Sequence, residues 1–266
     1  MPTANINGVQ IAYRDEGTGQ PILLIHAFPL RGAMWEGQIA TLAREYRVIA
    51  PDLRGFGASQ IVPRTSSLDQ YADDLAGLLD QLGLGPERVV LGGLSMGGYI
   101  AFAVLRHAAR YVHALVLADT KPQADSPEAV EGRKRLLQVV HEKGARAVAD
   151  EMLPKLLGET TRREHPDVVE QVRALVLSNS TAAIVGAITA LMTRPDSTPL
   201  LSTIHVPTLI LVGDEDTVTP PSAAEEMHRA IAGSELVRIP GAGHLANLER
   251  PDLFDAALAR FLGHRV

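Results

Sequence analysis

The chain has 266 residues, a formal net charge of −6, 46% hydrophobic and 21% charged side chains, and no cysteine. That length builds one large α/β domain or two ordinary ones, with the balance of a globular protein. Disulfides, thiolate chemistry and cysteine-based zinc sites are excluded, and the acidic net charge argues against a nucleic-acid surface, which needs a basic excess.

At the N-terminus, MPTANINGVQ has neither the basic region nor the apolar stretch of a signal peptide. No run nears the ~20 apolar residues of a membrane span. The expectation is a soluble, cytoplasmic protein that contacts no membrane. Asn7-Gly8 predicts a hairpin turn, since both turn positions favour positive φ. PILLIHAF (21–28) and YRVIAPDL (46–53) read as buried strands, with a helix around AMWEGQIATLARE between them. Ser67 and Gln70 have capping-box spacing and open a helix running to about Leu82. ERVVLGGLS (87–95) and HALVLADT (113–120) are strands flanking a helix that follows Ser95.

Strands alternating with helices predict parallel βαβ units in a sheet covered on both faces. From about Lys121 to Thr198 the alternation stops, and only helical stretches and breaks follow. It resumes with VPTLILVGDED, a helix near 222–232, ELVRIP, and a last helix from Pro251 to Leu262. Residues 1–120 and 199–266 are therefore expected to form one α/β core, and 121–198 a helical lid inserted into it. The basic clusters EGRKRLL (131–137) and TTRREH (160–165) lie among acidic residues and are expected to be solvated helix faces.

Residues 92–98 read GGLSMGG, and Gly93-Leu94-Ser95-Met96-Gly97 matches G-x-S-x-G at a strand-to-helix turn. A serine on so sharp a bend projects its hydroxyl, and a Cβ at the flanking positions would collide with strand or helix. The Met96 amide opens the helix, whose N-terminus favours negative charge. A serine nucleophile needs a base, and the base needs an acid. His244 stands in IPGAGHLANLERP, a Gly-rich loop between the last strand and the last helix. ILVGDEDTVTPP offers Asp214, Glu215 and Asp216 after an apolar strand. Asp216 is the acid of choice, Asp214 shapes the turn, and Asp119, ending HALVLADT, is the second candidate. The order Ser95, Asp216, His244 is the α/β-hydrolase order and not that of the two common serine-protease arrangements. LLIHAFPL supplies a second oxyanion donor in the Phe28 amide, with His26 tethering the loop. Such a donor is typically worth about 3–4 kcal/mol of barrier.

With HAFPL, PDLRGFGAS, GLSMGG, VGDEDTVTP and GAGHLANLERP in that order, the chain resembles the α/β-hydrolase superfamily over nearly its whole length. Within it, the chain is similar to the lid-bearing branch of bacterial carboxylesterases, enol-lactonases and cofactor-free haloperoxidases. It looks most like small carboxylesterases in which VIAPDLRGFGAS, LGGLSMGGY and DSTPLL occur together. The resemblance implies a mostly parallel sheet flanked by helices, a Ser95–Asp216–His244 triad, and Phe28 and Met96 as oxyanion donors. It also implies hydrolysis of a small-molecule ester of short to medium acyl chain through an acyl-enzyme, without metal or cofactor. Perhydrolysis with peroxide as acceptor, and lactone opening, use the same triad. Dehalogenases and epoxide hydrolases need a carboxylate nucleophile where Ser95 stands. A ligand receptor on the same fold is the alternative class, and the complete triad argues against it.

Phe28, Leu30 and Leu94, with lid residues such as Met152, Leu153, Leu156, Leu191 and Met192, are expected to line an apolar pocket that binds substrate, while helical stripes of this kind also build core. No clamp of several basic residues is expected near the motifs, with Arg31, Arg54 and Arg194 left open. Family members usually carry His-Gly where this chain has His26-Ala27. If that glycine serves a positive φ, Ala27 is strained; if it only makes room, Ala27 narrows the oxyanion loop. The oligomeric state is left open.

Overall fold

The computed structural model describes residues 1–62, 67–85 and 88–266. The expected hairpin opens it: β1 (Thr3–Ile6) and β2 (Val9–Glu16) pair antiparallel across Asn7 and Gly8, whose φ angles are 50° and 77°. β3 (Pro21–Ile25) follows, then a 3₁₀ turn at Gly32–Trp35, α1 (Glu36–Leu42) and β4 (Arg47–Pro51). α2 (Leu68–Gln81) begins where the capping residues place it, with the Ser67 hydroxyl accepting the Gln70 N–H at 3.3 Å. β5 (Val89–Leu94), α3 (Met96–Ala108) and β6 (Val112–Ala118) complete the first half. Glu87, the first residue of the strand expected over 87–95, lies outside the described residues.

Between β6 and the next strand come only helices: α4 (Pro127–Leu156), α5 (Glu159–Glu164), α6 (Pro166–Leu177) and α7 (Thr181–Met192). The Ser126 and Ser180 hydroxyls cap α4 and α7 by accepting the amides of Ala129 and Ala183. α4 is broken at Gly144, which takes φ 72° and ψ −171°, a conformation that favours glycine. The alternation then returns with β7 (Thr208–Gly213), α8 (Pro221–Ala230), β8 (Glu235–Ile239), the short α9 (Ala246–Glu249) and α10 (Pro251–Arg265).

The eight strands form one sheet in the order β1-β2-β4-β3-β5-β6-β7-β8. Only β2 opposes its neighbours; every pairing from β4 to β8 is parallel. Side chains alternate across a strand, so β3 and β5 build two cores at once. Leu23, Ile25, Val89 and Leu91 pack with α2 and α3 on one face. Ile22, Leu24, Val90 and Leu94 pack with α1 and α10 on the other. The central strands are buried on both faces and read as continuous apolar runs, as parallel strands do. Their carboxyl ends share one edge, and the chain delivers its polar loops there.

Among the described residues no single helix is long and apolar enough to cross a membrane. The bent pair of α6 and α7 passes by length and composition, yet α7 is mostly buried against the core.

Candidate active site

Ser95 sits between β5 and α3 with φ 55° and ψ −113°, a strained backbone for a residue with a Cβ. Its amide donates to the Ala118 carbonyl of β6 at 2.9 Å, which pins the bend to the sheet. The surrounding glycines are there for space. A Cβ on Gly93 would lie 2.3 Å from the Gly97 carbonyl, and one on Gly97 would lie 2.2 Å from the Ile25 oxygen. One on Gly98 would lie 2.4 Å from the Thr120 hydroxyl. Gly97→Ala is expected to cost about 1–3 kcal/mol in urea unfolding, because the strand behind the bend must give way.

The three residues singled out from separate loops meet here. His244 Nε2 is 2.7 Å from Ser95 Oγ, and His244 Nδ1 is 2.8 Å from Asp216 Oδ2. All three are buried. The Asp216 carboxylate is saturated with donors. Oδ1 accepts the amides of Val218 and Thr219 at 2.8 and 3.0 Å, and Oδ2 accepts the Thr219 hydroxyl at 2.6 Å. Burial alone would raise its pKa. The charge and hydrogen bond of His244, with the Thr219 donors, outweigh burial and hold it below the usual carboxylate range. Asp216 therefore stays ionised at neutral pH.

A family model described as alpha/beta hydrolase fold matches residues 20–251. The chain belongs to the α/β-hydrolase family. A thermophilic esterase from Thermogutta terrifontis, solved with malate bound, is 44% identical and superimposes with a TM-score of 0.94 over 98% of this chain and 97% of its own. An enol-lactonase from Burkholderia xenovorans LB400 is 28% identical with a TM-score of 0.91, over 99% and 100% of the two chains. A non-heme haloperoxidase of Rhodococcus erythropolis is 32% identical over 96% of this chain and 97% of its own.

In this α/β-hydrolase the loop after β3 is held by His26, as its position suggested. His26 Nδ1 is 3.0 Å from the Ala27 carbonyl, and Nε2 accepts the Leu53 amide at 3.1 Å. Burial dominates and lowers its pKa to about 4, against the smaller raising effects of the Ala27 carbonyl and Asp52. The ring is thus a neutral tether with both nitrogens occupied, and no lone pair is left for a second base. Ala27 is wholly buried and its φ is not positive, so the structure takes the branch in which the family's glycine only makes room. Among the described residues, neither the Phe28 nor the Met96 amide has a hydrogen-bond acceptor within the protein.

A cavity of about 110 Å³ opens at Ser95 and His244. Its apolar wall is made by Phe28, Met96, Met152, Leu156, Leu191 and Val218. Of the expected pocket residues, Phe28, Met152, Leu156 and Leu191 reach it. Leu94 alternates away from Ser95 and is fully buried on the α1/α10 side of the sheet, where Leu30 joins it. Met192 ends α7 half-buried against the other core, one helical step of about 100° from Leu191, and Leu153 is buried on the α1/α10 side. A second correction concerns the 131–137 cluster: Arg133 lines the cavity and does not face solvent with its neighbours, and Lys155 lines it too. Arg133 is drawn in by Asp125, eight residues before it and just ahead of the α4 cap. Arg54 plays no part in the cavity, being locked bidentate on Asp74 at 2.5 and 2.6 Å. Among the described residues no group of three or more His, Asp or Glu side chains is arranged to hold a metal ion.

Two buried carboxyl groups brace the triad. In the sequence Asp119 stands only as the second candidate acid, and Glu249 carries no expected role. Asp119 accepts the amides of Gly213 and Ala246 at 2.8 and 3.1 Å, joining the loop that bears Asp216 to the one that bears His244. Burial, then the nearby charge of Asp216, pushes the Asp119 pKa well above the usual range. Glu249 accepts the amides of Gly243 and Leu245, on either side of His244, both at 3.0 Å, and of Gly158 at 2.8 Å. Its only sequence signal is an acid five residues beyond His244, next to Arg250. Asp119→Ala leaves two buried amides unpaired and is expected to cost about 2–6 kcal/mol in urea unfolding, at 1–3 kcal/mol for each orphaned donor.

Proposed function

We propose that this α/β-hydrolase is a serine carboxylic-ester hydrolase of short acyl esters, with α4–α7 as the lid over its site. The observation that carries the reading is the unbroken contact Ser95 Oγ–His244 Nε2–Asp216 Oδ2, at 2.7 and 2.8 Å, on the floor of a largely apolar cavity. His244 takes the Ser95 proton as Oγ attacks the ester carbonyl, and ionised Asp216 stabilises the imidazolium. The tetrahedral oxyanion is received by the unpaired amides of Phe28 and Met96, the second at the start of α3. His244 then protonates the leaving alkoxide. Water enters, gives a proton to His244 and attacks the acyl-enzyme, and the same proton returns to Ser95 Oγ as the acid departs. The esterase from Thermogutta terrifontis among the relatives supports the ester class.

The cavity of about 110 Å³ is smaller than the ~150 Å³ that holds one benzene, so it suits a few carbons. Among p-nitrophenyl esters from acetate to palmitate, kcat/KM is expected to peak between acetate and butyrate and to fall steeply beyond. An optimum at octanoate or longer overturns the short-acyl assignment.

A second reading is favoured by the haloperoxidase relative: the same acyl-enzyme resolved by hydrogen peroxide to a peracid, with no redox change at the protein. Peracid formation outpacing hydrolysis at millimolar acetate and peroxide would establish it.

A further inference from the structure

Two cationic side chains reach the cavity at Ser95 from α4, Arg133 and Lys155. Arg133 is not balanced one for one. Arg133 pairs with Asp125, whose side chain is 3% exposed, and the same carboxylate takes Arg194 at 2.6 Å. One buried acid thus serves two guanidinium groups. Nε of Arg194 is buried with no acceptor among the described residues, and its guanidinium carbon stands 4.2 Å from the centre of the Tyr99 ring, itself part of the cavity wall. Lys155 has Glu151 at 3.6 Å, a pair exposed to water and screened by it. Close by, burial and then Arg194 depress the Lys121 pKa, as expected where positive charge is in excess. A buried carboxylate shared by two guanidinium groups leaves the positive charge beside the cavity only partly offset. Charge of this kind beside a cleft marks a binding site.

We propose that the cavity selects short esters bearing a second, anionic group, a free carboxylate that pairs with Arg133 and Lys155 while the ester carbonyl lies at Ser95. The proposal rests on the ester-hydrolase reading and names its substrate class. Asp125 takes the Nε and Nη2 side of Arg133, so a substrate carboxylate pairs with the remaining Nη1 side, and Lys155, on the outer side, draws an anion inward. The small cavity suits a carboxylate a few carbons from the ester rather than a lipid chain. The carboxylate is carried either by the acyl group, as in a half-ester of a dicarboxylic acid, or by the alcohol, as in an acylated hydroxy acid.

The test compares kcat/KM for monomethyl against dimethyl succinate, and for O-acetylglycolate against its methyl ester, by acid release at constant pH. The charged ester is expected to lead by about tenfold or more in at least one pair at low ionic strength, and the lead shrinks at about 0.5 M NaCl. Arg133→Met and Lys155→Met are each expected to cut the charged-to-neutral ratio by about fivefold or more, through KM, with Arg133→Lys keeping more of it than Arg133→Met. Arg133 also holds Asp125, so its loss can disturb folding; Lys155 is exposed and its variant keeps the test open. Neutral esters preferred by the wild type, or a ratio unchanged in both methionine variants, overturns the anion proposal and leaves the hydrolase reading standing. Turnover of none of the four esters overturns both.

Discussion

Ser95→Ala is expected to lower kcat for p-nitrophenyl acetate by about 10⁴-fold or more while the protein stays folded. The hydroxyl is the one oxygen within hydrogen-bond reach of His244 Nε2 that can open an acyl-enzyme path. Without it the remaining groups can only polarise a bound ester. Far-UV circular dichroism and urea unfolding measured beside the kinetics separate lost chemistry from lost structure. Ser95→Gly supplies a sharper comparison. Both variants lack the hydroxyl, but the φ of 55° and ψ of −113° penalise alanine and not glycine. Ser95→Gly is therefore expected to be more stable than Ser95→Ala by about 1–2 kcal/mol, with both inactive. Full turnover by either variant removes Ser95 as the nucleophile.

Asp216→Asn is expected to cost about 10⁴-fold in kcat with little change in overall structure, by analogy with the same exchange in serine-protease triads. The reason lies in the direction of the hydrogen bonds. Oδ1 accepts two backbone amides, so the asparagine oxygen must take that side. The amide nitrogen then replaces Oδ2 and faces His244 Nδ1 and the Thr219 hydroxyl. It donates to Nδ1, which moves the imidazole proton to Nε2. The nitrogen facing Ser95 becomes a donor, and the serine proton has no acceptor. Activity equal to the wild type at neutral pH would exclude this arrangement of protons. Stability responds with a definite sign as well. The Asp216 carboxyl is depressed in the folded state, so its contribution is present above the unfolded-state value and fades as pH falls through the depressed one. Asp216→Asn should flatten that acid limb of the unfolding profile.

The elements most legible in advance were those whose signals are local. Asn7-Gly8 forces one turn, Ser67 caps one helix, and a strand followed by a glycine-flanked serine followed by an uninterrupted helix has few other solutions. The same holds for His244 and Asp216, because each ends a strand on a polar loop, and parallel strands deliver such loops to a single edge. The pocket was less legible. Leu94 lies beside the nucleophile in sequence, but alternation across a strand sends it to the opposite face, and the turn after β3 carries Leu30 into the same core. Arg133 lies in a run of charges that reads as solvated, and only its contact with buried Asp125 draws it inward.

The sequence by itself determined the alternation of strands and helices, the interruption between β6 and β7, and the identity and order of Ser95, Asp216 and His244. These follow from hydrophobic periodicity, turn chemistry and the few residue types able to act as nucleophile, base and acid. Only the tertiary structure decided which side chains share the cavity, that Asp119 and Glu249 brace the histidine loop, and that Arg133 and Lys155 give the site an excess of positive charge. Those properties depend on contacts between residues far apart in the chain, 127 positions in the Asp119–Ala246 bond, and nothing in local pattern encodes which distant backbone amide a buried carboxyl will meet.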